Sequence, residues 1–275
     1  MKIIRDVAGV RTALAGAGRV GLVPTMGAFH EGHLSLIRAA RASCDLVVVW
    51  LFVNPTQFND AADLAAYPRS EERDAALAAE AGADILFAPG VEEVYPDGFA
   101  TAVTVAGLGD ILEGAHRPGH FAGVATVVAK MLNMVTPAVA FFGAKDAQQV
   151  AVVRRMVADL NIDTRIEVCP IVREPDGLAM SSRNVRLNAD GRRRATALYR
   201  GLSAARAAVA DGERTAAVLA GKVELELAGA GIEADYVAVV DPEFRAVDVV
   251  EGPALIAVAA RVGSTRLIDN IEVAR

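Results

Sequence analysis

Apolar runs alternate with amphipathic stretches along the chain from Val20 to about Val172. The runs VGLVPT, DLVVVWLFV, ADILFAP and AVAFFG are apolar nearly throughout, which is typical of strands buried on both faces, and TRIEVCPIV has the pattern of another strand. The stretches between them, such as LSLIRAARAS, SEERDAALAAEAG and VATVVAKMLNMV, follow the helical repeat. This alternation predicts an α/β domain with a doubly wound parallel sheet, a Rossmann-like architecture.

The pattern changes after Asn184. Two helical patterns, over about 188–211 and 215–227, are followed by three strand-like runs with short connections, ADYVAVVD, GPALIAVAARVG and TRLIDNIEV. These elements predict a smaller α+β unit with an antiparallel sheet. We therefore expect a larger domain over residues 1–172 and a smaller C-terminal lid domain over 173–275, with the polar stretch REPDGLAMSSRN at the boundary.

Composition and charge exclude several classes of protein. The 275 residues are 53% hydrophobic and 23% charged, which describes a folded chain with a substantial core. The longest apolar run, from Leu46 to Val53, is far shorter than the roughly 20 residues of a membrane-spanning helix. Charged residues interrupt the N-terminus, which therefore lacks the pattern of a signal peptide, and the cytoplasm is the expected compartment. The formal net charge of −6 gives no reason to expect nucleic acid as a partner.

Three local features have simple structural interpretations. Cys44 and Cys169 adjoin apolar runs and have no metal or redox spacing, so we expect buried free thiols. The run Arg192–Arg194 could face an anion, although a solvated helix face explains it equally well. The stretch GAGRVG, residues 16–21, spells the GxGxxG dinucleotide fingerprint. Because these glycines follow a helical pattern and precede a strand, the reverse of the required order, an oxidoreductase is disfavoured.

The stretch PTMGAFHEGH, at the end of the strand VGLVPT, contains a glycine without a side chain and two histidines. Gly27 leaves room for a ligand, and a helix beginning near His33 would point free N–H groups at the same place. His30 and His33, one turn apart, could neutralise charge on a phosphate. Helix capping, exposure to solvent and a zinc site are alternatives, and zinc would need a third ligand. Position at the carboxyl edge of a parallel sheet favours the phosphate.

Two other strand ends carry polar groups. The run LFVNPTQF ends with Asn54 and Gln57, whose amides suit the binding of a hydroxyl and a carboxylate; an Asx turn is the alternative. The run AFFGAKDAQQV supplies Lys145 as a cation for phosphate, whereas Asp146 and Gln149 have the spacing of a capping box.

Two further loops could bind an anion. The loop GLAMSSRN, residues 177–184, could close over a triphosphate with its serines and Arg183, or it could be a plain linker. In EGAHRPGHFAG, Arg117 and His120 could bind an anion or simply belong to a turn.

The motifs PTMGAFHEGH, NPTQF, YPRS, HRPGHFAGV, FFGAKDAQQ and MSSRN, in this order, closely resemble those of the pantothenate synthetase (pantoate–β-alanine ligase) family. The resemblance covers residues 20–190 and includes the HxGH element of the nucleotidyltransferase superfamily. It implies an ATP-dependent ligation of (R)-pantoate and β-alanine that yields pantothenate, AMP and pyrophosphate through a pantoyl adenylate. It also implies Mg²⁺ bound with ATP, and a homodimer.

The resemblance also implies roles for particular residues. The catalytic residues would be His33, His30, Lys145 and Arg183. Gln57 and Gln149, with Asn54, would hold pantoate and β-alanine, and Asp74 is the candidate for a position near Mg²⁺. The implied ATP-binding residues are Met26, Gly27, Ala28, Phe29, His30, Glu31, Gly32, His33, Gly143, Ala144, Lys145, Asp146, Val172, Met180, Ser181, Ser182 and Arg183. Another nucleotidyltransferase and a nucleotide-binding module without activity are the alternative functions.

Overall fold

A computed structural model describes residues 1–59 and 61–274 of the chain. The chain divides into two units. They are Met1–Ala144 with Gln148–Pro170, and Lys145–Ala147 with Ile171–Arg275. The expected division between residues 172 and 173 differs from this one by two residues and by the assignment of Lys145–Ala147.

Within the described residues, six parallel strands form the sheet of the first unit. They are β1 (Lys2–Ile4), β2 (Val20–Thr25), β3 (Leu46–Leu51), β4 (Ile85–Phe87), β5 (Val139–Gly143) and β6 (Arg165–Cys169). Their order across the sheet is β1-β4-β3-β2-β5-β6. The predicted parallel α/β architecture is confirmed. The edge strand β1 has only three residues, too few for the hydrophobic pattern to reveal it.

Helices cover both faces of this sheet. Those that begin before residue 170 are α1 (Val7–Leu14), α2 (Glu31–Ser43), α3 (Ala61–Ala65), α4 (Glu71–Glu80), α5 (Val91–Val94), α6 (Glu113–His116), α7 (His120–Val135) and α8 (Ala147–Asp159). Successive residues of a strand point to opposite faces. In β3, Val48 and Trp50 pack in the cluster that contains α7 and α8, whereas Val47 and Val49 pack in the cluster that contains α2 and α4. Burial on both faces explains why β3 is apolar throughout.

The order in which successive strands are added to the sheet reverses at β2. The strands β3 and β4 lie on one side of β2, and β5 and β6 lie on the other. The pairing of β2 with β5 is confined to Gly21–Val139 and Leu22–Ala140, so the carboxyl ends of these strands are not joined to each other. Ligands of open α/β sheets bind at such a reversal, outside the carboxyl ends of the strands.

The glycines of the apparent dinucleotide fingerprint lie between α1 and β2. Gly16 has a φ of +74° just after the end of α1, a backbone conformation that favours glycine. Gly21 lies inside β2, where an added Cβ would approach the Cys44 sulfur to 2.8 Å. Gly16 therefore allows α1 to end, and Gly21 allows close packing inside β2. In this described segment a helix precedes a strand, which is the reverse of the order in a dinucleotide-binding loop.

The second unit contains a three-stranded antiparallel sheet in the order β7-β8-β9 among the residues described. Its elements are α9 (Ala189–Ala195), α10 (Ala197–Ala210), α11 (Ala216–Gly229), β7 (Ala234–Val240), β8 (Ala254–Val262) and β9 (Thr265–Val273). The small α+β unit with an antiparallel sheet is confirmed. The helix predicted over about 188–211 is in fact two helices, which meet at Thr196.

The arginine run and the cysteines have structural roles. Arg192 binds Asp176, Arg193 binds Asp190, and Arg194 donates to the Ala230 carbonyl. Both cysteines are buried and free, as expected. Of the helices in the described part of the chain, none has the length and hydrophobicity that crossing a membrane requires.

Candidate active site

The loop between β2 and α2 carries both imidazoles. The helix α2 begins at Glu31, earlier than predicted, and His30 is its N-cap. The Nδ1 atom of His30 accepts a hydrogen bond from the Gly32 N–H (3.2 Å), and Nδ1 of His33 accepts one from the His30 N–H (3.4 Å). An accepting ring nitrogen carries no proton, so each neutral ring carries its proton on Nε2. The two histidines therefore cap the helix through Nδ1, with the proton of each neutral ring on Nε2. Their ring centroids lie 4.1 Å apart.

Other side chains of the implied ATP segment differ in their availability. Phe29 is only 2% exposed and packs in the core, and Glu31 forms an ion pair with Arg38. Gly27 and Ala28 both adopt the left-handed backbone conformation, with φ of +90° and +54°. We infer that this segment offers a ligand its backbone and its imidazoles, whereas the Phe29 ring serves the core.

Asp74, the candidate for a position near Mg²⁺, lies in the protein interior. It is fully buried in α4, and its two carboxylate oxygens accept hydrogen bonds from the N–H groups of Ala28 and Phe29, both at 2.8 Å. A carboxylate enclosed in this way is not presented to a metal ion on ATP. In the described residues, no group of three or more His, Cys, Asp or Glu side chains could hold a metal ion. The Asp74 carboxylate anchors the loop, and its position near Mg²⁺ stays a prediction.

Asn54 also has a role other than the expected one. It is 1% exposed, and its Nδ2 donates to Gln57 Oε1 (3.1 Å) and to the Gly123 carbonyl (3.2 Å). Its Oδ1 accepts from the hydroxyls of Tyr95 (2.8 Å) and Thr56 (2.9 Å). Burial raises the pKa of the Tyr95 hydroxyl, which keeps it protonated as a donor. Both amide atoms of Asn54 are used internally, and its Nδ2 orients Gln57, whereas a contact of Asn54 with pantoate stays a prediction.

The backbone of Gln57 is held from another direction. Its carbonyl oxygen accepts from the Arg117 guanidinium (3.1 Å) and lies 2.8 Å from Nδ1 of His120. Nε2 of His120 lies 3.2 Å from Nη1 of Arg117. A guanidinium can only donate, so His120 accepts at Nε2 and donates from Nδ1. Of the two interpretations of Arg117 and His120, the turn is therefore the one that these contacts support.

We expect Gly123→Ala to destabilise the protein. Gly123 lies in α7, and an added Cβ would come within 2.5 Å of the Thr56 carbonyl oxygen, a backbone atom next to Gln57. Such overpacking should lower the free energy of unfolding by about 1–3 kcal/mol, measured by urea denaturation. Gly221→Ala in α11 is the matched control, because nothing lies within 4 Å of its Cβ position. That variant should be slightly stabilised. Equal stability of the two variants would contradict this account.

The two glutamines near the start of α8 have different environments. Gln148 is 5% exposed, donates to the carbonyls of Leu108 and Ile111, and accepts from the Glu113 N–H. It therefore shapes the loop before α6. Gln149 is half-buried, and its side chain makes no hydrogen bond with another residue in the described part of the chain. The glutamine implied to hold pantoate is thus the one whose amide is available.

Lys145 and its neighbours belong to the second unit. The Lys145 side chain is 20% exposed, and its Nζ lies 3.8 Å from the Asp146 carboxylate. The Lys145 carbonyl accepts a hydrogen bond from Nδ2 of Asn270 (2.9 Å). Residues Ala144–Asp146 form a 3₁₀ turn immediately before α8, so Asp146 lies within a turn rather than in the expected capping box.

The segment from Val172 to Arg183 is ordered within the second unit. The Met180 N–H donates to the Val172 carbonyl, and a β-bridge joins Arg173 to Ala179. Ser181 then caps a 3₁₀ helix, Ser182–Arg186, by accepting from the Arg183 N–H. The segment is therefore a short hairpin followed by a helical turn, which excludes a plain linker.

Arg173 anchors this hairpin and is absent from the sequence motifs. Its guanidinium binds both oxygens of Asp269 (2.6 and 3.0 Å) and lies 4.2 Å from the centre of the Tyr199 ring. The Asp269 side chain is 1% exposed. No local pattern points to this pair, because 96 residues separate its members.

Known proteins are similar to the chain along its whole length. A family model described as pantoate-beta-alanine ligase matches residues 2–272. A pantothenate synthetase from Cereibacter sphaeroides (strain ATCC 17029 / ATH 2.4.9) is 54% identical over 282 residues, covering 98% of this chain and 99% of the relative.

Two solved structures are also similar. The pantothenate synthetase of Thermus thermophilus has a TM-score of 0.95, 48% identity and full coverage of both chains. The pantoate-beta-alanine ligase of Francisella tularensis, complexed with beta-gamma ATP and β-alanine, has a TM-score of 0.80 and 33% identity, and covers 98% of this chain and 97% of its own. On these matches, the chain belongs to the pantoate-beta-alanine ligase family.

Proposed function

We propose that this chain catalyses the ATP-dependent ligation of (R)-pantoate and β-alanine, releasing AMP and pyrophosphate through a pantoyl adenylate. Membership of the family supports this reaction, and the complex of the Francisella relative supports ATP and β-alanine as ligands. The observation that carries the assignment is the pair His30 and His33, each with Nδ1 bound to backbone and a donor on Nε2, after the strand at which the sheet reverses.

In the first step, the carboxylate of pantoate attacks the α-phosphorus of ATP, and pyrophosphate leaves. Pantoate is already ionised at neutral pH, so no side chain is needed as a base. The phosphate oxygens repel the carboxylate, and this repulsion must be screened. We assign His33 and His30 to the phosphate oxygens and give Lys145 and Arg183 the same electrostatic task.

The two amides align pantoate for this attack. Gln57 is fixed at its backbone carbonyl by Arg117 and His120, and its side chain contacts Asn54 and Met26, so the amide is held in one orientation before a ligand binds. Gln149 supplies the second amide.

In the second step, the neutral amine of β-alanine attacks the acyl carbon of the adenylate, the bond to AMP breaks, and the nitrogen releases a proton to solvent as the amide forms. Water would hydrolyse an acyl adenylate, which gives the C-terminal domain and the segment 177–184 a reason to act as a lid. Ser181 and Ser182, with Met180 and Val172, are assigned to ATP on the family's motif.

Magnesium is proposed to arrive with ATP. The described residues contain no cluster that would form a resident metal site, so phosphate oxygens and water would be its ligands. No step above depends on the ion. On family membership we also propose a homodimer, which sedimentation velocity would test. We further propose that the protein acts in the cytoplasm on small-molecule substrates, without nucleic acid or membrane as a partner.

The reaction is tested by measuring AMP and pyrophosphate while each component is omitted in turn. We expect catalytic AMP formation only with ATP, pantoate and β-alanine together. ATP and pantoate alone should release about one pyrophosphate per site, because the adenylate stays bound. Pyrophosphate release that requires a nucleoside monophosphate instead of pantoate would assign the chain to another nucleotidyltransferase. ATP binding without AMP formation would leave a non-catalytic binding module.

A further inference from the structure

We propose that Asp74 is a positioning residue for the imidazoles of His30 and His33, acting through the backbone of the loop between β2 and α2. The proposal rests on the proposed function, because positioning matters only if these imidazoles bind the phosphates of ATP.

Asp74 has the surroundings of a structural anchor for that loop. It lies in the first turn of α4, where its N–H donates to the Ser70 carbonyl, and it is fully buried. Burying a charged carboxylate is unfavourable unless hydrogen bonds compensate for the lost water. In the described residues no cation pairs with Asp74, and the compensation comes from the N–H groups of Ala28 and Phe29. The carboxylate is therefore committed to the loop.

The loop backbone is shaped to receive this carboxylate. Gly27 and Ala28 are consecutive residues with positive φ, and for Ala28 this conformation is disfavoured because of its Cβ. Such a sequence of conformations can turn successive N–H groups toward one anion. An added Cβ at Gly27 would lie 2.9 Å from Oδ2 of Asp74, so the carboxylate packs directly against the backbone. The two hydrogen bonds to a charged acceptor stabilise a loop conformation that the sequence does not favour locally.

The two histidines lie directly after this anchored segment in the chain. Phe29 precedes His30, whose N–H donates to Nδ1 of His33 and whose own Nδ1 caps α2. A displacement of the 28–29 backbone therefore moves the N–H group that orients His33. Asp74 touches neither imidazole in this chain of contacts, and it acts on them through the backbone.

The test substitutes Asp74→Asn. Asparagine keeps one accepting oxygen and places an NH₂ group against the other backbone N–H. A misplacement of about 1 Å can lower a catalytic rate by roughly 100-fold, and we expect a loss of up to that size in kcat for pantoate-dependent pyrophosphate release. The KM for pantoate should change less than kcat, because the contacts of Gln57 with Asn54, Arg117 and His120 lie outside this loop and only that with Met26 lies in it.

Asp84→Asn is the matched control. Asp84 also accepts a hydrogen bond from a backbone N–H, that of Val47 (2.8 Å), but it directly precedes β4 and thus lies at the amino edge of the sheet. This variant should keep the wild-type rate. Amide exchange gives a readout that is independent of activity: the N–H groups of Ala28 and Phe29 should exchange faster in Asp74→Asn, while those in the middle of α2 should not.

A double-mutant cycle separates positioning from general stability. In a background that lacks both imidazoles, His30→Ala with His33→Ala, Asp74→Asn should lower the rate by less than about threefold, because the residues through which it acts are gone. The full loss in that background, or a folded Asp74→Asn protein with the wild-type rate, would overturn the proposal. If the amide variant does not fold, Asp74→Glu, which keeps the charge but displaces the carboxylate by one methylene, takes its place in the cycle. A wild-type protein without pantoate-dependent pyrophosphate release would instead refute the proposed function, whatever the exchange data show.

Discussion

His33→Ala should lose roughly 100- to 1000-fold in the rate of pantoate-dependent pyrophosphate release and remain folded. Removing one preorganised donor from a site where charge develops has an effect of this size. The Nδ1 atom of His33 is held by the His30 N–H, so its proton on Nε2 is fixed before ATP binds. The capping contact that is lost with the ring is worth about 0.5–2 kcal/mol, which is small beside a typical stability of 5–15 kcal/mol.

His116→Ala is the control for this variant. His116 is an exposed histidine of α6, outside the implied site, and its removal should leave the rate unchanged. Circular dichroism and urea denaturation would establish that both variants fold. A His33→Ala protein with near-normal turnover would remove His33 from the mechanism.

Lys145→Ala should lose roughly 100- to 1000-fold in the same assay, because an ammonium near the phosphates stabilises charge that builds up on the departing pyrophosphate. The side chain is 20% exposed, and its nearest carboxylate, on Asp146, is 3.8 Å away. An ion pair of this length, with its carboxylate open to solvent, is weak and leaves the ammonium able to bind a more highly charged anion. Lys145→Arg should recover part of the rate, since arginine restores the charge with a different shape.

Lys130→Ala separates a local effect from one of net charge. Both alanine variants remove one positive charge, but Lys130 lies over the Phe99 ring in the first unit, 4.6 Å from its centre. We expect it to keep the wild-type rate at low and high salt. Equal losses in the two variants would mean that overall charge, and not Lys145 itself, acts on ATP.

The hydrophobic pattern predicted the central strands and most helices because each was encoded by neighbouring residues. The strands β2 and β3 and the helix α7 fall where their apolar runs place them. The pattern did not reveal β1 or the helices α3, α5 and α6, which are too short to show a period. It also missed the junction of α9 and α10 at Thr196, which interrupts no helical repeat.

The site was only partly predictable, since the role of a polar side chain depends on which groups it hydrogen-bonds to in the folded chain. Motif and position at the sheet edge identified His30, His33 and Gln57. The sequence could not show that Asn54 uses both amide atoms internally, or that Asp74 binds backbone 46 residues away. Their roles emerge only when distant segments are brought together, and the catalytic assignments stay predictions until rates are measured.

The separation of β2 from β5 coincides with a proline in β2, Pro24. The Val20 carbonyl accepts from Ala138 on the β5 side, whereas the Thr25 carbonyl accepts from Phe52 on the β3 side. Alternation along the strand turns the nitrogen of residue 24 toward β5, and a proline nitrogen has no hydrogen to donate. Residue 24 therefore cannot donate a hydrogen bond that would extend the pairing of β2 with β5 beyond Leu22, and the carboxyl ends of the two strands are unpaired with each other.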